Sequence, residues 1–357
     1  MTHEQYLKQP RFGSLDGLRC LAVLAVIWHH TAVGVASVPA THRGFLGVDL
    51  FFVLSGFLIV TLLLREREAS GRIPLPRFYA RRTLRIFPAY YAVLAVLAAA
   101  YAIFPDARTA PAFLGALPYY LTYTANWVID EGSVMFLAWS LAAEEQFYLL
   151  WPPLEKWLRR REIWLALACA LLWNQIVNFR LLGLGFDDRQ LLHLEILQVT
   201  FTPILLGVAL AHWLHSPAGY AIAVRLLGHR WSSTAAAIAV LAAANAPVAV
   251  VQGWPRLCTH LAMAALIGSC ALRRDHWLGP VLDWRPIRRV GVVSYGMYLF
   301  HMLVKHAVVA AGVADFGPFT FAATSLLTFA VADASFRFFE RPILHWRRDL
   351  TAVRRTR

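Results

Sequence analysis

Hydrophobic residues along this chain gather into long runs separated by short, arginine-rich connections. A bilayer core about 30 Å thick needs about 20 apolar residues per helix. Ten windows meet that length: 18–36, 45–64, 86–104, 138–157, 163–183, 195–214, 231–251, 257–272, 291–312 and 316–338. The stretch 112–125 is also apolar, but it is short and broken by Pro118, so it reads as an interfacial or re-entrant segment. The pattern predicts an all-α, polytopic membrane protein. Residues 1–357 form one membrane domain, with only short connections and no room for a soluble catalytic unit.

Composition agrees with the pattern. Of the 357 residues, 59% are hydrophobic and 15% charged, against about 45–50% and about 25% in soluble domains. A soluble globule, a disordered chain and a small disulfide scaffold are all disfavoured by these figures. Cys20, Cys169, Cys258 and Cys270 stand singly in apolar stretches, without CxxC or histidine spacing, and imply neither a metal site nor disulfides.

The net charge of +13 comes from 34 basic residues. With a cytoplasmic N-terminus, the connections 1–17, 65–85, 156–162, 215–230, 273–290 and the tail from 337 face the cytoplasm and carry 27 of those 34. By the positive-inside rule this places both termini in the cytoplasm. The basic charge is thus mainly a topology signal, and no nucleic-acid partner is expected. The first apolar run has no small-residue cleavage site, so it reads as a retained span of a multi-pass protein of the inner, cytoplasmic membrane.

An ionisable group inside a span is costly unless it finds a partner or water, so each is a functional candidate. Arg19 and His30 are eleven residues apart on the first helix, which puts them on one face about 16 Å apart. A snorkelling arginine and a structural histidine would leave the same trace. Asp49, one turn into the second helix, falls at about the depth of His30; it could hold that imidazole or cap its own helix. Gly47, Ser55 and Gly56 are small enough for close helix packing. Arg81, Arg82 and Arg85 share a face at the cytoplasmic mouth of the third helix, a planar-cation cluster suited either to a phosphate-bearing ligand or to lipid headgroups.

The fourth helix carries Glu144 beside Glu145, with Glu144 within about 10 Å of the outer interface. On the ninth, Ser294 and His301 are seven apart and share a face, although His301 also reads as a helix-to-helix hydrogen bond. The last helix ends in Glu340-Arg341, read as a surface ion pair. Sorted by depth, the arginines gather at the cytoplasmic mouth while His30, Asp49 and Glu144 lie toward the outer half. A group-transfer enzyme that takes a phosphate-rich donor from the cytoplasm and delivers a small group outward needs such an arrangement.

Six segments in order resemble the acyltransferase type 3 family of integral-membrane O-acyltransferases. They are the Arg19-x10-His30 helix, GVDLFFVLSGFLI from Gly47, RRTLRIFPAYY from Arg81, WSLAAEEQFYLLWP from Trp139, SYGMYLFH from Ser294 and FERP from Phe339. The resemblance implies transfer of an acyl group, usually acetyl from acetyl-CoA, to a hydroxyl of a surface glycan or a secondary metabolite. Some members of the family append an extracytoplasmic hydrolase-like domain, and the tail after the last window is expected to be too short for one.

On this basis Arg82 and Arg85, helped by Arg19, are expected to bind the CoA phosphates. His30 is expected to act as general base, oriented by Asp49 or Glu144, in a direct transfer without metal. Tyr148, Ser294 and His301 are substrate-binding candidates, and Ser55 is the one candidate nucleophile for an acyl-enzyme. Loops 36–44 and 105–137 are expected to shape the acceptor site with Arg43, Tyr119, Tyr120, Tyr123, Asn126 and Trp127. Two other functions compete. Acylation of a macrolide or other small natural product changes only the acceptor, whereas a transporter or proton relay would also place His and acids in the membrane, but with related halves that the sequence does not show.

Overall fold

The computed structural model describes residues 1–32, 38–105, 109–127, 133–181, 192–247 and 252–344, with backbone alone for 192–200. The ends of the expected windows at 33–36, 182–183 and 248–251, Arg108, Arg189, parts of both acceptor loops, and the tail beyond 344 lie outside these residues.

Long runs of Ala, Leu and Val, few interior glycines and the absence of water to satisfy open backbone groups all favour helix. The helices in chain order are α1 (His3–Leu7), α2 (Gly13–Thr31), α3 (Leu46–Ser70), α4 (Leu75–Ile103), α5 (Ala110–Leu121), α6 (Ala138–Trp157), α7 (Arg160–Asn178), α8 (Leu192–His215), α9 (Pro217–Leu227), α10 (Ser232–Ala244), α11 (Trp254–Leu272), α12 (Gly279–Leu282), α13 (Arg285–Val292), α14 (Ser294–Ala310) and α15 (Pro318–Ser335). A helix lies in every expected window. Among the described residues, four stretches are long and apolar enough to cross a membrane: Leu46–Ser70, Leu75–Ile103, Trp254–Leu272 and Pro318–Leu344. The pair α13 and α14, bent by 74°, makes a fifth if the two together count as one span. Others fall short for visible reasons: α10 stops after 13 residues, and α6 carries Glu144, Glu145, Glu155 and Lys156.

The stretch around Pro118 folds as the 12-residue helix α5, with the proline inside it. It lies against α4, where the Tyr90 and Tyr91 hydroxyls donate to the carbonyls of Tyr120 and Leu121, each at 2.9 Å. After α15 the chain widens into a π-helical turn over Phe336–Glu340, a form that often marks functional positions.

Helices α2, α3 and α8 form the centre. Gly47 of α3 sits so close to α2 that a Cβ there would run into the Ala22 carbonyl, and Gly56 of α3 meets the Ile204 carbonyl of α8 in the same way. Gly207 of α8 answers against the Val53 carbonyl, so the two helices touch backbone to backbone, as small residues permit in membranes. The expectation for Gly47 and Gly56 therefore holds. Ser55 serves differently, because its hydroxyl is engaged by a side chain across the bundle.

Candidate functional site

On α2, helical spacing places His30 near the C-terminal end of the face that carries Arg19. His30 Nδ1 donates to the Val26 carbonyl one turn back, at 2.8 Å. Its ring lies 5.3 Å from that of His301 on α14, centroid to centroid, and 5.8 Å from Phe136. His301 is fully buried; its Nδ1 donates to the Tyr298 carbonyl at 2.7 Å, while its Nε2 has no partner among the described residues. The Tyr298 hydroxyl and Ser140 Oγ are 2.6 Å apart, tying α14 to α6 beside the imidazoles. Since both Nδ1 atoms carry their protons toward backbone oxygens, each ring presents a bare Nε2 as an acceptor.

Glu144 does not join this pair. It accepts a short hydrogen bond from Ser55 of α3, and the charges acting on it are Arg82 and Arg19. The Arg82 guanidinium stacks over the Tyr148 ring at 4.5 Å. Arg85, exposed, lies within electrostatic reach of Arg19, Arg82, Asp16 and Tyr148. Arg19 is partly engaged by Asp16 at 3.1 Å. Among the described residues neither Arg82 nor Arg85 makes a salt bridge, whereas Arg81 is taken by Glu66 through a two-pronged contact at 2.8 and 3.2 Å. Glu340 also faces this cluster: it is buried, accepts from Ser335 at 3.1 Å and feels the charge of Arg85. The surface pair with Arg341 is thus corrected, because the π-turn carries Glu340 inward.

Asp49 departs furthest from expectation. Its carboxylate is buried and taken by Arg256 at 3.0 Å and His260 at 3.1 Å, both on α11. The imidazole of His30 is held instead by its own helix. Two partners from one neighbouring helix engage both Asp49 oxygens, so its geometry is that of a clasp between α3 and α11. Arg256 and His260 carried no recognisable spacing in the sequence; His260 stands inside the apolar window 257–272 and Arg256 just before it.

Ser294 is buried at the start of α14. Its face partner His301 reaches the imidazole pair. Several expected rim residues turn inward: Tyr120, Tyr123 and Asn126 are buried, with Tyr123 stacked on Tyr90 at 4.4 Å and Asn126 bonded to Gln146. Arg43 is buried against the Ala244 and Ala246 carbonyls. Of that set Tyr119 and Trp127 remain exposed.

Comparisons with known proteins bear on the family of the chain. A family profile described as an acyltransferase domain matches residues 12–337. The peptidoglycan O-acetyltransferase OatA of Listeria monocytogenes is 29% identical over 92% of this chain and 55% of its own length. YrhL of Bacillus subtilis, provisionally named for the same activity, is 30% identical over 96% of this chain and 55% of its own. A protein of Staphylococcus aureus, provisionally named an O-acetyltransferase, is 37% identical over 42% of this chain. The chain spans about half the length of OatA and YrhL. No solved structure matches. With the family profile covering nearly the whole chain and the six segments folded as helices around two polar clusters, the chain belongs to the acyltransferase type 3 family.

Proposed function

We propose that this protein is a multi-pass O-acyltransferase of the cytoplasmic membrane that moves an acetyl group from acetyl-CoA to a hydroxyl of a cell-surface glycan. The observation that carries the reading is the division of α2 between two clusters. At one end Arg19 shares the field of Arg82 and Arg85; eleven residues on, His30 offers a bare Nε2 beside His301. Guanidinium groups without salt bridges suit the phosphates of CoA, and a neutral imidazole within reach of a hydroxyl suits general base catalysis.

The acceptor oxygen forms a bond to the thioester carbonyl carbon while its proton passes to His30 Nε2. Collapse of the tetrahedral intermediate restores the carbonyl and breaks the C–S bond, and the proton leaves with the thiolate as CoA thiol. Ser55 does not face a histidine; its proton is directed to Glu144, which supports direct transfer over an acyl-enzyme. The arginine cluster lies on the side of the N-terminal segment, so the donor is read as cytoplasmic. The names of the relatives favour peptidoglycan as the glycan.

The test uses the full chain in proteoliposomes, with radiolabelled acetyl-CoA and peptidoglycan strand fragments. Label in the glycan, lost with His30→Gln, supports the reading. Solute uptake without acetyl-CoA consumption would overturn it in favour of transport, and label in an added macrolide alone would change the acceptor class.

A further inference from the structure

We propose that Lys305 supplies the positive charge that stabilises the oxyanion formed beside His30 during acyl transfer; this rests on the acyl-transfer reading above. Lys305 lies one turn after His301 on α14 and is 8% exposed. His301, four residues before it on the same helix, lies 5.3 Å from His30, ring centroid to ring centroid. Nζ is held 2.8 Å from Asp315 Oδ1 and 4.1 Å from the centroid of the Phe316 ring, both on the loop between α14 and α15. That loop is fixed to the residue after His30, because the Gly317 amide donates to the Thr31 carbonyl at 2.8 Å. The loop beside Lys305 is thus anchored next to His30.

Stability alone does not account for this lysine. Asp315 is 59% exposed, and an ion pair with an exposed carboxylate is screened and contributes little. Such a pair does not offset the cost of holding an ammonium among apolar helices. A cation retained near a reacting imidazole is the arrangement that favours a negative charge appearing there.

When the acceptor oxygen adds to the thioester carbonyl, the C=O π pair moves to the carbonyl oxygen and the hydroxyl proton moves to His30. The new oxyanion is matched by the ammonium until the C–S bond breaks and the pair returns. Water serves as acceptor in the absence of glycan, so acetyl-CoA hydrolysis reports the same step.

The experiment measures acetyl-CoA cleavage by the full chain in proteoliposomes, with and without peptidoglycan fragments, for wild type, Lys305→Met, Lys305→Arg, Asp315→Asn and His30→Gln. Lys305→Met is expected to lower kcat roughly 100-fold with the KM for acetyl-CoA unchanged, and Lys305→Arg to recover most of the loss. Asp315→Asn, which keeps the cation and removes the tether, is expected to stay within about threefold of wild type, as for a solvent-exposed partner. Lys305→Met with wild-type kcat overturns the proposal, and so does Asp315→Asn falling as far as Lys305→Met, which would make the pair a loop tether. A wild type as silent as His30→Gln overturns the acyl-transfer reading itself, and is told apart because no variant then differs.

Discussion

His30 and His301 face one another from α2 and α14 with ring centroids 5.3 Å apart, and each turns its Nδ1 to a carbonyl of its own helix. Backbone carbonyls fix the tautomer in both rings, a task that carboxylates perform in other sites. The two histidines nevertheless differ, because His301 is fully buried while His30 keeps accessible surface. A hydroxyl can therefore approach His30 but must displace packing to reach His301. His30→Gln is expected to lower kcat for acetyl transfer by roughly 10²–10⁴, with membrane insertion and detergent melting unchanged. His301→Gln is expected to lose about tenfold, near the worth of one hydrogen bond. Steady-state kinetics on purified variants checks both.

Arg82 and Arg85 lack salt bridges among the described residues, whereas Arg81 is spent on Glu66. Charge-assisted hydrogen bonds contribute about 1.5–3 kcal/mol each. Replacing Arg82 and Arg85 together by alanine should then raise the KM for acetyl-CoA at least about tenfold with little change in kcat. Arg81→Ala should leave KM close to wild type. An unchanged KM in the double variant would remove the phosphate-site assignment.

Ser55 and Glu144 share a short hydrogen bond across α3 and α6. Residues joined in this way couple by about 0.5–3 kcal/mol in double-mutant cycles. Ser55→Ala and Glu144→Gln should each reduce transfer, and the double variant should lose less than the two combined. Additive losses would mean that the two side chains act apart.

The helical architecture was legible because period and length suffice for it. Every apolar window holds a helix, and Gly47 and Gly56 announced the close approach of α3 to its neighbours. What sequence order could not reveal is which side chains meet across helices. Depth along the bilayer put Asp49 and His30 level, but depth is one coordinate of three, and rotation about the axis turned Asp49 toward α11. Arg256 and Lys305 are two of the seven basic residues that fall outside the cytoplasm-facing connections; their importance comes from partners 207 and 10 residues away, Asp49 and Asp315. Glu340 was hidden by a π-turn, which rotates the chain end by an amount no α-helical spacing anticipates.

Asp49 clasps Arg256 and His260 in a buried cluster. Removing one member of a buried pair leaves an uncompensated charge and costs about 3–5 kcal/mol. Asp49→Asn should lower the detergent melting temperature sharply, while the fraction that stays folded keeps near wild-type kcat. Asp49→Leu combined with Arg256→Met should recover much of the stability, because matched apolar groups replace the pair. If Asp49→Asn instead melts like wild type and loses kcat, the carboxylate acts on the reaction and not on the helix contact.

Outside the spans, Ser14 at the start of α2 bridges His276 and Asp283, at 3.0 and 2.9 Å. A carboxylate only accepts, so the Ser14 hydroxyl donates to Asp283 and receives the Nε2 proton of His276. His276 Nδ1 is buried without a partner among the described residues, so a second proton there would find no acceptor among them. Burial pushes the His276 imidazole below its ordinary value, against the pull of Asp283 and Asp275. The unfolded chain therefore binds this proton more readily than the folded one, and stability falls as pH drops below about 6.5 toward the lowered folded value. Above about 6.5 the same group contributes no pH dependence. Melting temperature measured from pH 8 to 5 should decline over the acid part of that range. His276→Gln keeps a neutral donor and should flatten the decline; an equally steep fall in that variant would assign the acid sensitivity to another group.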